Sequence, residues 1–574
     1  MARLYTGLMR MLLTATLVLS SAPAFAVKPC TNATTYSPCD IVLQVKSAAP
    51  YQQLKIAAQF RSPEYKTYLV PAFWDGGDRM VLRVGPTAAG EWTYKITGNA
   101  AEFNEKQEKF TVTAAPEAMT WIQRANAHHW QHTEALKPHL YMGADLVDAT
   151  QIDALATAKF THASVSIMPP GEMPDLAHFA KLDAEILALN EKGLVADLIL
   201  APGAAELMKR FPVYSDRERY LQYVIGRYSA FNVTWQLAGE FETGENLRAM
   251  LRELGLLLRK NDPYSHPRSS RARVTSSPLG GDQWMDHVIY GTEAPDAVPM
   301  IEHQLNTVPQ VALLDGTLAA DAFRKRLWNA TMSGAYPVIA GRATAANLKT
   351  MTAWFDVLSR TRHWDVEPHF DIDGGRALAV PGVEYLVYIE NPMKVEVTVE
   401  KHSYDVWWIN PSTGEATREK KDWKGDVFEG TPPDATRDWI LHLSRDGKKE
   451  GMLKSYKFES WPIAVQEPER SPQKATFELV TPSADTVLTV GHPVPFQIKI
   501  KKQTAGTRRM TYMIVGDVVR DGQGNRILAT GAEGTLTVPA NVLAQSDGVI
   551  NVRVAALNAP GKVYLIDYIF SVKK

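Results

Sequence analysis

The stretch "NVTWQLAGEFE", residues 232–242, places a short apolar run directly before two carboxylates. Val233, Trp235 and Leu237 give the run its apolar character, and Glu240 and Glu242 follow at its end. A run of this length that carries bulky and β-branched residues is typical of a buried strand. We therefore interpret the stretch as a strand of a parallel sheet whose carboxyl end carries functional groups.

Seven more runs of this kind lie between residues 119 and 362, and segments with helical periodicity separate them. In one such segment Leu176, Phe179 and Leu182 form an apolar stripe, which Gly193 closes. Eight strand–helix units in about 250 residues predict a (β/α)8 TIM barrel. The predicted strands cover residues 139–145, 162–170, 194–202, 232–240, 271–277, 287–293, 310–316 and 335–341.

The rest of the chain has the short alternating runs and turn residues of β domains. The predicted fold class is therefore multidomain α/β plus all-β, a TIM barrel flanked by β-sandwich domains. The predicted domains are an immunoglobulin-like sandwich at 27–117, the barrel at 118–368, a small antiparallel β domain at 369–446, a linker at 447–473 and a second immunoglobulin-like sandwich at 474–574.

The amino terminus has the pattern of an export signal. Two arginines precede an apolar run at residues 11–19, and "AFA" ends the segment at residue 26. The alternative, a membrane span, requires roughly 20 apolar residues, and this run is shorter. We expect residues 1–26 to be a signal peptide and the protein to be periplasmic or secreted. In such an oxidising compartment Cys30 and Cys39 would form a disulfide, and two free thiols are the alternative.

The composition excludes some partners. With 62 Lys and Arg against 63 Asp and Glu, the net charge of -1 provides no long-range attraction to nucleic acid or anionic lipid. Hydrophobic residues at 45% and charged residues at 22% are typical of a soluble globular protein. The chain contains no phosphate-binding, dinucleotide-binding or GxSxG motif, so we predict no cofactor. The oligomeric state stays open.

The candidate site follows from the geometry of a barrel, in which the carboxyl ends of all strands meet at one mouth. Glu240 and Asp315 each follow an apolar run, on the fourth and seventh strands, which lie on opposite sides of the mouth. We expect partial desolvation to raise the pKa of both carboxyl groups. Two facing carboxylates are what glycoside hydrolysis requires. Further candidates for substrate binding are Asp145, Glu242, Tyr290 and Glu293.

Structural roles are the alternatives for these residues. Asp315 precedes "GTLAADAF" and could cap the next helix, and Glu242 fits a rim or supporting position. The stretch "HHWQH", residues 128–132, has the composition of a metal site. It precedes the first barrel strand, and no acidic or cysteine cluster accompanies it in the sequence. We therefore predict no metal.

Three stretches resemble the apiosidase-like glycoside hydrolase barrels of the retaining (β/α)8 group: "LAHFAKLDAEILALNEKGLVADLIL", "RERYLQYVIGRYSAFNVTWQLAGEFE" and "LWNATMSGAYPVIAG". The sequence upstream of these stretches is similar to the immunoglobulin-like module that precedes such barrels. The sequence downstream of these stretches is similar to the collagen-binding-type β domain that follows such barrels. The resemblance covers residues 45–445 and implies that Glu240 is the acid/base and Asp315 the carboxylate of the seventh strand.

Two positions depart from the family pattern. The segment "YMGADLVDATQ" lacks the aromatic residue that follows the acidic residue of strand one, and Asp315 stands where many relatives have Glu. A separation of about 5 Å between the carboxyl groups favours retention, and about 7 Å or more favours inversion. We expect an exported glycoside hydrolase that acts on a polysaccharide or glycan. The alternative is a catalytically inactive barrel that binds carbohydrate or serves as a surface scaffold.

Overall fold

The computed structural model describes residues 30–100, 103, 107–125, 127–134, 137–244, 246–445, 465–501, 513–520, 524–530, 533–538, 548–558 and 561–573. The predicted signal peptide and most of the predicted linker lie outside these residues. Within the described part of the chain, no helix is long and apolar enough to cross a membrane.

The amino-terminal domain consists of two antiparallel sheets, which follow the orders β1-β5-β4 and β3-β2-β6-β7. Trp92, Phe60 and Leu82 lie in the core between them. A disulfide joins Cys30 to Cys39 beside the first strand. The elements are β1 Cys39–Gln44, α1 Pro50–Gln53, β2 Ile56–Arg61, β3 Thr67–Pro71, β4 Phe73–Trp74, β5 Arg79–Val84, β6 Gly90–Gly98 and β7 Gln107–Val112.

A charged network joins this domain to the barrel. Arg83 on β5 is 2% exposed, and its guanidinium donates to Asp40 at 2.7 Å and to Asp183 at 3.1 Å. Arg227 donates to the same Asp183 at 2.8 Å. Asp183 and Arg227 belong to two barrel helices, so each arginine has a carboxylate partner in its own domain, and the Arg83–Asp183 contact links the two pairs across the domain boundary.

The barrel contains eight parallel strands, as predicted. Their order around the sheet is β15-β14-β13-β12-β11-β18-β17-β16. A small antiparallel sheet of β8 Ile122–Arg124, β9 Trp130–His132 and β10 Pro138–His139 precedes them. The barrel elements are β11 Gly143–Asp145, α2 Ile152–Thr157, β12 His162–Ser166, α3 Leu176–Glu191, β13 Val195–Gly203, α4 Ala204–Arg210, α5 Tyr214–Tyr228, β14 Val233–Gly239, α6 Leu247–Asn261, β15 Arg268–Ser269, β16 Val288–Tyr290, α7 Ala297–His303, β17 Gln310–Asp315, α8 Ala320–Met332, β18 Ala335–Ala340 and α9 Ala345–Leu358.

The predicted fifth strand, residues 271–277, is wrong. The strand lies earlier and is only two residues long, Arg268–Ser269. No ladder joins it to β16, and the gap is bridged by the Ser269 hydroxyl, which donates to the His287 carbonyl at 2.6 Å. The segment that follows this strand, residues 271–277, is polar because it supplies contacts to the barrel mouth. It therefore lacks the apolar outward face of a barrel strand.

The interior of the barrel is polar near its centre. Asp197 on β13 is fully buried. It accepts hydrogen bonds from Tyr141 at 2.7 Å and from Thr234 at 2.6 Å, and it lies 2.9 Å from Nδ1 of His162. His139 extends this chain toward the amino ends of the strands, 2.8 Å from His162. Packed TIM-barrel interiors are usually dominated by branched apolar side chains, so this polar column is a distinctive feature.

Two β-rich regions follow the barrel and confirm the predicted class of an α/β barrel with all-β domains. The first is a seven-stranded sheet, and the described residues of the second form sheets of three and five strands. That these regions and residues 27–117 are immunoglobulin-like stays a prediction. The strands are β19 Glu367–His369, β20 Ile372–Asp373, β21 Arg376–Val380, β22 Glu384–Ile389, β23 Val395–Ile409, β24 Ala416–Gly430, β25 Trp439–Ser444, β26 Phe477–Thr481, β27 Val487–Thr489, β28 Val494–Ile500, β29 Met513–Arg520, β30 Gly524–Thr530, β31 Glu533–Leu536, β32 Val549–Leu557 and β33 Val563–Lys573.

The carboxyl-terminal domain packs directly on the barrel. Leu557 and Val563 share a buried apolar cluster with Val298 and Met300 of α7. Strand β30 also lies against the short turns that follow β14 and β15, at residues 241–243 and 277–282. This domain therefore borders the carboxyl end of the barrel.

We expect His287 to make the protein sensitive to acid. His287 is fully buried against Trp130, and burial lowers the pKa of its imidazole to about 3. Below an ordinary histidine pKa of about 6.5, the unfolded chain binds a proton that the folded protein does not. The free energy of unfolding of the wild type should therefore fall by about 1.4 kcal/mol more than that of His287→Leu between pH 7.5 and pH 5.5. Urea unfolding at both pH values measures this difference, and equal losses in the two proteins would contradict it.

Candidate active site

The barrel mouth brings three of the predicted residues to one end of the fold. Asp145 is the last residue of β11, Asp315 is the last of β17, and Glu240 follows β14 directly. Because the strands are parallel, all three lie at their carboxyl ends. β14 and β17 are three strands apart by the shorter way around the ring, so Glu240 and Asp315 lie on opposite sides of the mouth.

Glu240 is held by a strained but anchored turn. Its backbone is left-handed, with φ 56° and ψ 35°, a conformation that costs free energy for a residue with a side chain. Its carbonyl accepts a hydrogen bond from the Thr243 hydroxyl at 2.8 Å, and the next residue, Phe241, is 1% exposed. The Glu240 side chain is nevertheless exposed, so the expected desolvation of this carboxyl group is wrong.

Asp315 is half-buried and has an environment opposite to the expected one. Its Oδ1 accepts hydrogen bonds from the backbone N–H of Thr317 at 2.8 Å and from the Thr317 hydroxyl at 2.7 Å. These two donors lower the pKa of Asp315, so the expectation of a raised pKa is wrong. The alternative role of Asp315 as a helix cap is also wrong, since α8 begins at Ala320 with Ala319 before it, and Asp315 closes the turn that precedes the helix.

Asp145 is engaged in an ion pair rather than open to a substrate. Arg271 donates to its two oxygens at 3.2 and 2.5 Å, and the Gly341 N–H donates at 2.8 Å. Arg271 also donates from Nε to Gln236 on β14, at 2.8 Å. Burial opposes the charge of Arg271, but Asp145 more than compensates, and the pKa of the guanidinium is raised. Arg271 is not among the residues predicted from the sequence, although an arginine in a predicted strand was a signal for a functional contact.

Glu242 and Glu293 organise the loop that follows β15. Glu242 is 5% exposed, and its Oε1 accepts from the Arg273 backbone N–H at 3.1 Å. Glu293 is exposed and pairs with the Arg273 side chain at 3.0 and 2.8 Å. This pairing, followed by weaker attraction to Glu240 and Glu242, raises the pKa of Arg273. Glu242 therefore supports the loop, and Glu293 lies at the rim.

The prediction that Tyr290 contributes to substrate binding requires a correction. It is 1% exposed, and burial followed by the neighbouring Glu302 raises the pKa of its hydroxyl well above the ordinary range. A substrate in the mouth does not reach this side chain. The short strand β16 directs Tyr290 into the apolar contact with the carboxyl-terminal domain, and sequence periodicity over three residues does not reveal that direction.

The chain is similar to known proteins in part of its sequence and in its fold. Residues 32–99 match a family model described as a domain of unknown function, DUF5060. The structure is similar to a provisionally assigned glycoside hydrolase from Bacteroides vulgatus ATCC 8482, with 16% identity, a TM-score of 0.61, and coverage of 72% of this chain and 99% of that chain. No curated protein sequence matches the chain.

A second solved structure, a glycoside hydrolase family 5 protein from the same organism, has 12% identity and a TM-score of 0.48, with 56% of this chain and 92% of that chain covered. At these identities the likeness shows the fold alone, because one barrel fold supports many reactions. Both solved structures are described as glycoside hydrolases, and the chemistry of this chain must be argued from its own residues.

The Arg271–Asp145 pair should be important for stability. Its side chains are 15% and 21% exposed, so Arg271→Met leaves a poorly hydrated carboxylate without its cation and should lower the free energy of unfolding by about 3 kcal/mol. The double variant Arg271→Met/Asp145→Asn should be more stable than Arg271→Met alone, because the unpaired charge is gone. Urea unfolding of the wild type, the two single variants and the double variant measures both effects. A decrease of less than about 1 kcal/mol in the free energy of unfolding of Arg271→Met would contradict them.

Thr317 should control the pKa of Asp315. Thr317→Val removes the hydroxyl donor but keeps the backbone N–H, so the pKa of Asp315 should rise toward, without reaching, that of an ordinary aspartate. Carboxyl ¹³C NMR of aspartate-labelled protein measures this, and Asp315→Asn identifies the resonance. Thr436→Val is a matched control because Thr436 makes the same two contacts with Asp434. An unchanged Asp315 titration in Thr317→Val would refute the assignment.

Proposed function

We propose that the protein is a glycoside hydrolase whose two working carboxylates are Glu240 and Asp315. The observation that carries the proposal is that these two groups lie on opposite sides of one barrel mouth and that neither is neutralised by an ion pair among the described residues. Asp145 and Glu293, by contrast, are paired with arginines. Two carboxylates that flank a bound sugar are the minimum machinery for cleavage of a glycosidic bond.

The two environments favour different roles. The lowered pKa of Asp315 keeps this carboxylate ionised at neutral pH, as a nucleophile or general base requires. Both of its hydrogen bonds are to Oδ1, and no described residue donates to Oδ2. Glu240 is then the general acid that protonates the departing oxygen. A sugar bound beside it would displace water from its exposed carboxyl group.

Arg271 would form the floor of the substrate site. A guanidinium has five N–H groups, and Arg271 uses three in the bonds to Asp145 and Gln236. The remaining two N–H groups would donate to the oxygen of a sugar hydroxyl at the base of the mouth. The carboxyl-terminal domain, which lies against residues 241–243, would form one wall.

The compartment and the substrate class extend this proposal. The predicted signal peptide and the Cys30–Cys39 disulfide support a periplasmic or secreted location, since disulfides persist in oxidising compartments. The resemblance to apiosidase-like barrels supports a polysaccharide or glycan side chain as substrate. A second candidate function is glycan binding without turnover. The exposure of Glu240 favours it, because an acid that stays in contact with water protonates a leaving group less effectively than a desolvated one.

Turnover on a panel of polysaccharides tests the proposal. Glu240→Gln and Asp315→Asn should each lower kcat/KM by about 10³-fold or more, because each removes a group that acts on the reacting bond. Glu206→Gln is the matched control, since Glu206 is an exposed acid in the first turn of α4 on the same face of the barrel. It should keep wild-type turnover.

The choice of leaving group separates the two roles. An aryl glycoside with a highly acidic phenol needs no general acid, so Glu240→Gln should lose far less activity on it than on a natural glycan, while Asp315→Asn should lose activity on both. Equal losses for Glu240→Gln on both substrates would remove it from the acid role. Glycan binding without any hydrolysis in the wild type would establish the non-catalytic alternative.

A further inference from the structure

A cluster of three histidines surrounds one carboxylate at the end of the barrel opposite the mouth. Glu367 lies 3.0 Å from Nδ1 of His128, 2.6 Å from Nε2 of His303 and 3.2 Å from Nε2 of His129. All three histidines are at most 5% exposed. Such a concentration of imidazole and carboxylate groups is the donor set that divalent transition metals prefer.

The cluster is assembled from distant segments. His128 and His129 precede β9, His303 ends α7, and Glu367 begins β19. The cluster therefore lies where the barrel meets the seven-stranded β domain. It is outside the proposed active site, since the carboxyl end of α7 leads to the amino end of β17.

The geometry is compact enough for one ion. One donor atom each from His128, His303 and Glu367 lie within 4.8 Å of one another. With Zn–N and Zn–O bonds of about 2.0–2.2 Å, the ligands of a tetrahedral zinc lie roughly 3.3–3.5 Å apart. To accept a metal, the widest of these separations would shorten by at most about 1.3–1.5 Å, and the 2.6 and 3.0 Å contacts of Glu367 with His303 and His128 would lengthen by less than about 1 Å.

Metal-ligating imidazoles usually have the second ring nitrogen held by another group, and this is so for His128, whereas Nδ1 of His303 is buried without a hydrogen-bond partner among the described residues. Nε2 of His128 lies 2.7 Å from the Asn306 carbonyl, and Nδ1 of His129 lies 2.8 Å from the Tyr336 hydroxyl. The His303 ring packs against the bare Cα of Gly334, where a Cβ would come within 2.4 Å of the ring. A glycine at position 334 is therefore needed for this orientation of His303.

We propose that His128, His303 and Glu367 bind a divalent transition metal and that zinc is the expected ion. The metal would link the barrel to the β domain. His129 holds the second oxygen of Glu367 and so fixes the carboxylate. The proposal is independent of the hydrolase assignment, because no residue is shared with the mouth. A metal that binds only the folded arrangement stabilises it by mass action.

The test uses the full mature chain without a histidine tag. Protein that has been treated with a chelator and dialysed is titrated with ZnCl₂, and bound metal is counted by mass spectrometry while the melting temperature is measured. We expect one zinc per chain and a melting temperature higher by about 5 °C at a saturating concentration. Absorption of the Co²⁺-substituted wild type should show a tetrahedral site with nitrogen ligands, a readout that needs no variant.

Glu367→Gln and His303→Asn should weaken zinc binding roughly 100-fold or more, and both should lose the zinc-dependent rise in melting temperature. His402→Gln is the matched control, because His402 and Glu400 form an exposed His/Glu pair elsewhere, 3.7 Å apart. It should bind zinc as the wild type does. A wild type that binds no zinc and melts at the same temperature with and without it would overturn the proposal, as would unchanged binding in Glu367→Gln. If the wild type binds no zinc, the cluster is a metal-free hydrogen-bonded contact between the barrel and the β domain.

Discussion

The fully buried carboxylate of Asp197 is the constraint on which the barrel depends. An isolated carboxylate in a protein interior costs several kcal/mol, so it must be matched by donors that the fold brings to it. Here the donors come from Tyr141, His162 and Thr234, which lie on or next to the first, second and fourth strands. Burial alone would raise the pKa of Asp197, but His162 and these hydrogen bonds outweigh it, and the pKa is lowered. The satisfied charge thus holds four strands in one register.

The same charge extends its influence to the mouth. Arg271 is attracted by both Asp145 and Asp197, so the negative charge in the interior helps to hold a guanidinium at the carboxyl end of the strands. Because Arg271 neutralises Asp145 there, the acidic groups of the mouth divide into two kinds. Asp145 is held in an ion pair, whereas Glu240 and Asp315 make no ion pair among the described residues. The proposed function follows from this division rather than from the number of acidic residues at the mouth.

The two ends of the barrel have different chemistry. At the carboxyl end, short turns carry the exposed Glu240 and the half-buried Asp315, and the carboxyl-terminal domain lies against the turn that follows β14. At the amino end, the β8–β10 sheet, α7 and the start of the β domain enclose histidines around Glu367. This arrangement agrees with the general organisation of TIM barrels, in which residues of the mouth act on ligands and residues of the opposite face stabilise the fold.

The sequence by itself determined the barrel, seven of its eight strands and the three acids at the ends of strands one, four and seven, because strand and helix periodicity are local properties. The Asp315–Thr317 contact could also have been predicted from the sequence, since a single glycine separates the two residues in the chain. Only the tertiary structure decided that Arg271 neutralises Asp145, that β16 buries Tyr290, and that His303 and Glu367 join the histidines at residues 128 and 129. These contacts link segments far apart in the chain, and their partners are chosen by the packing of the whole barrel, which no local pattern encodes.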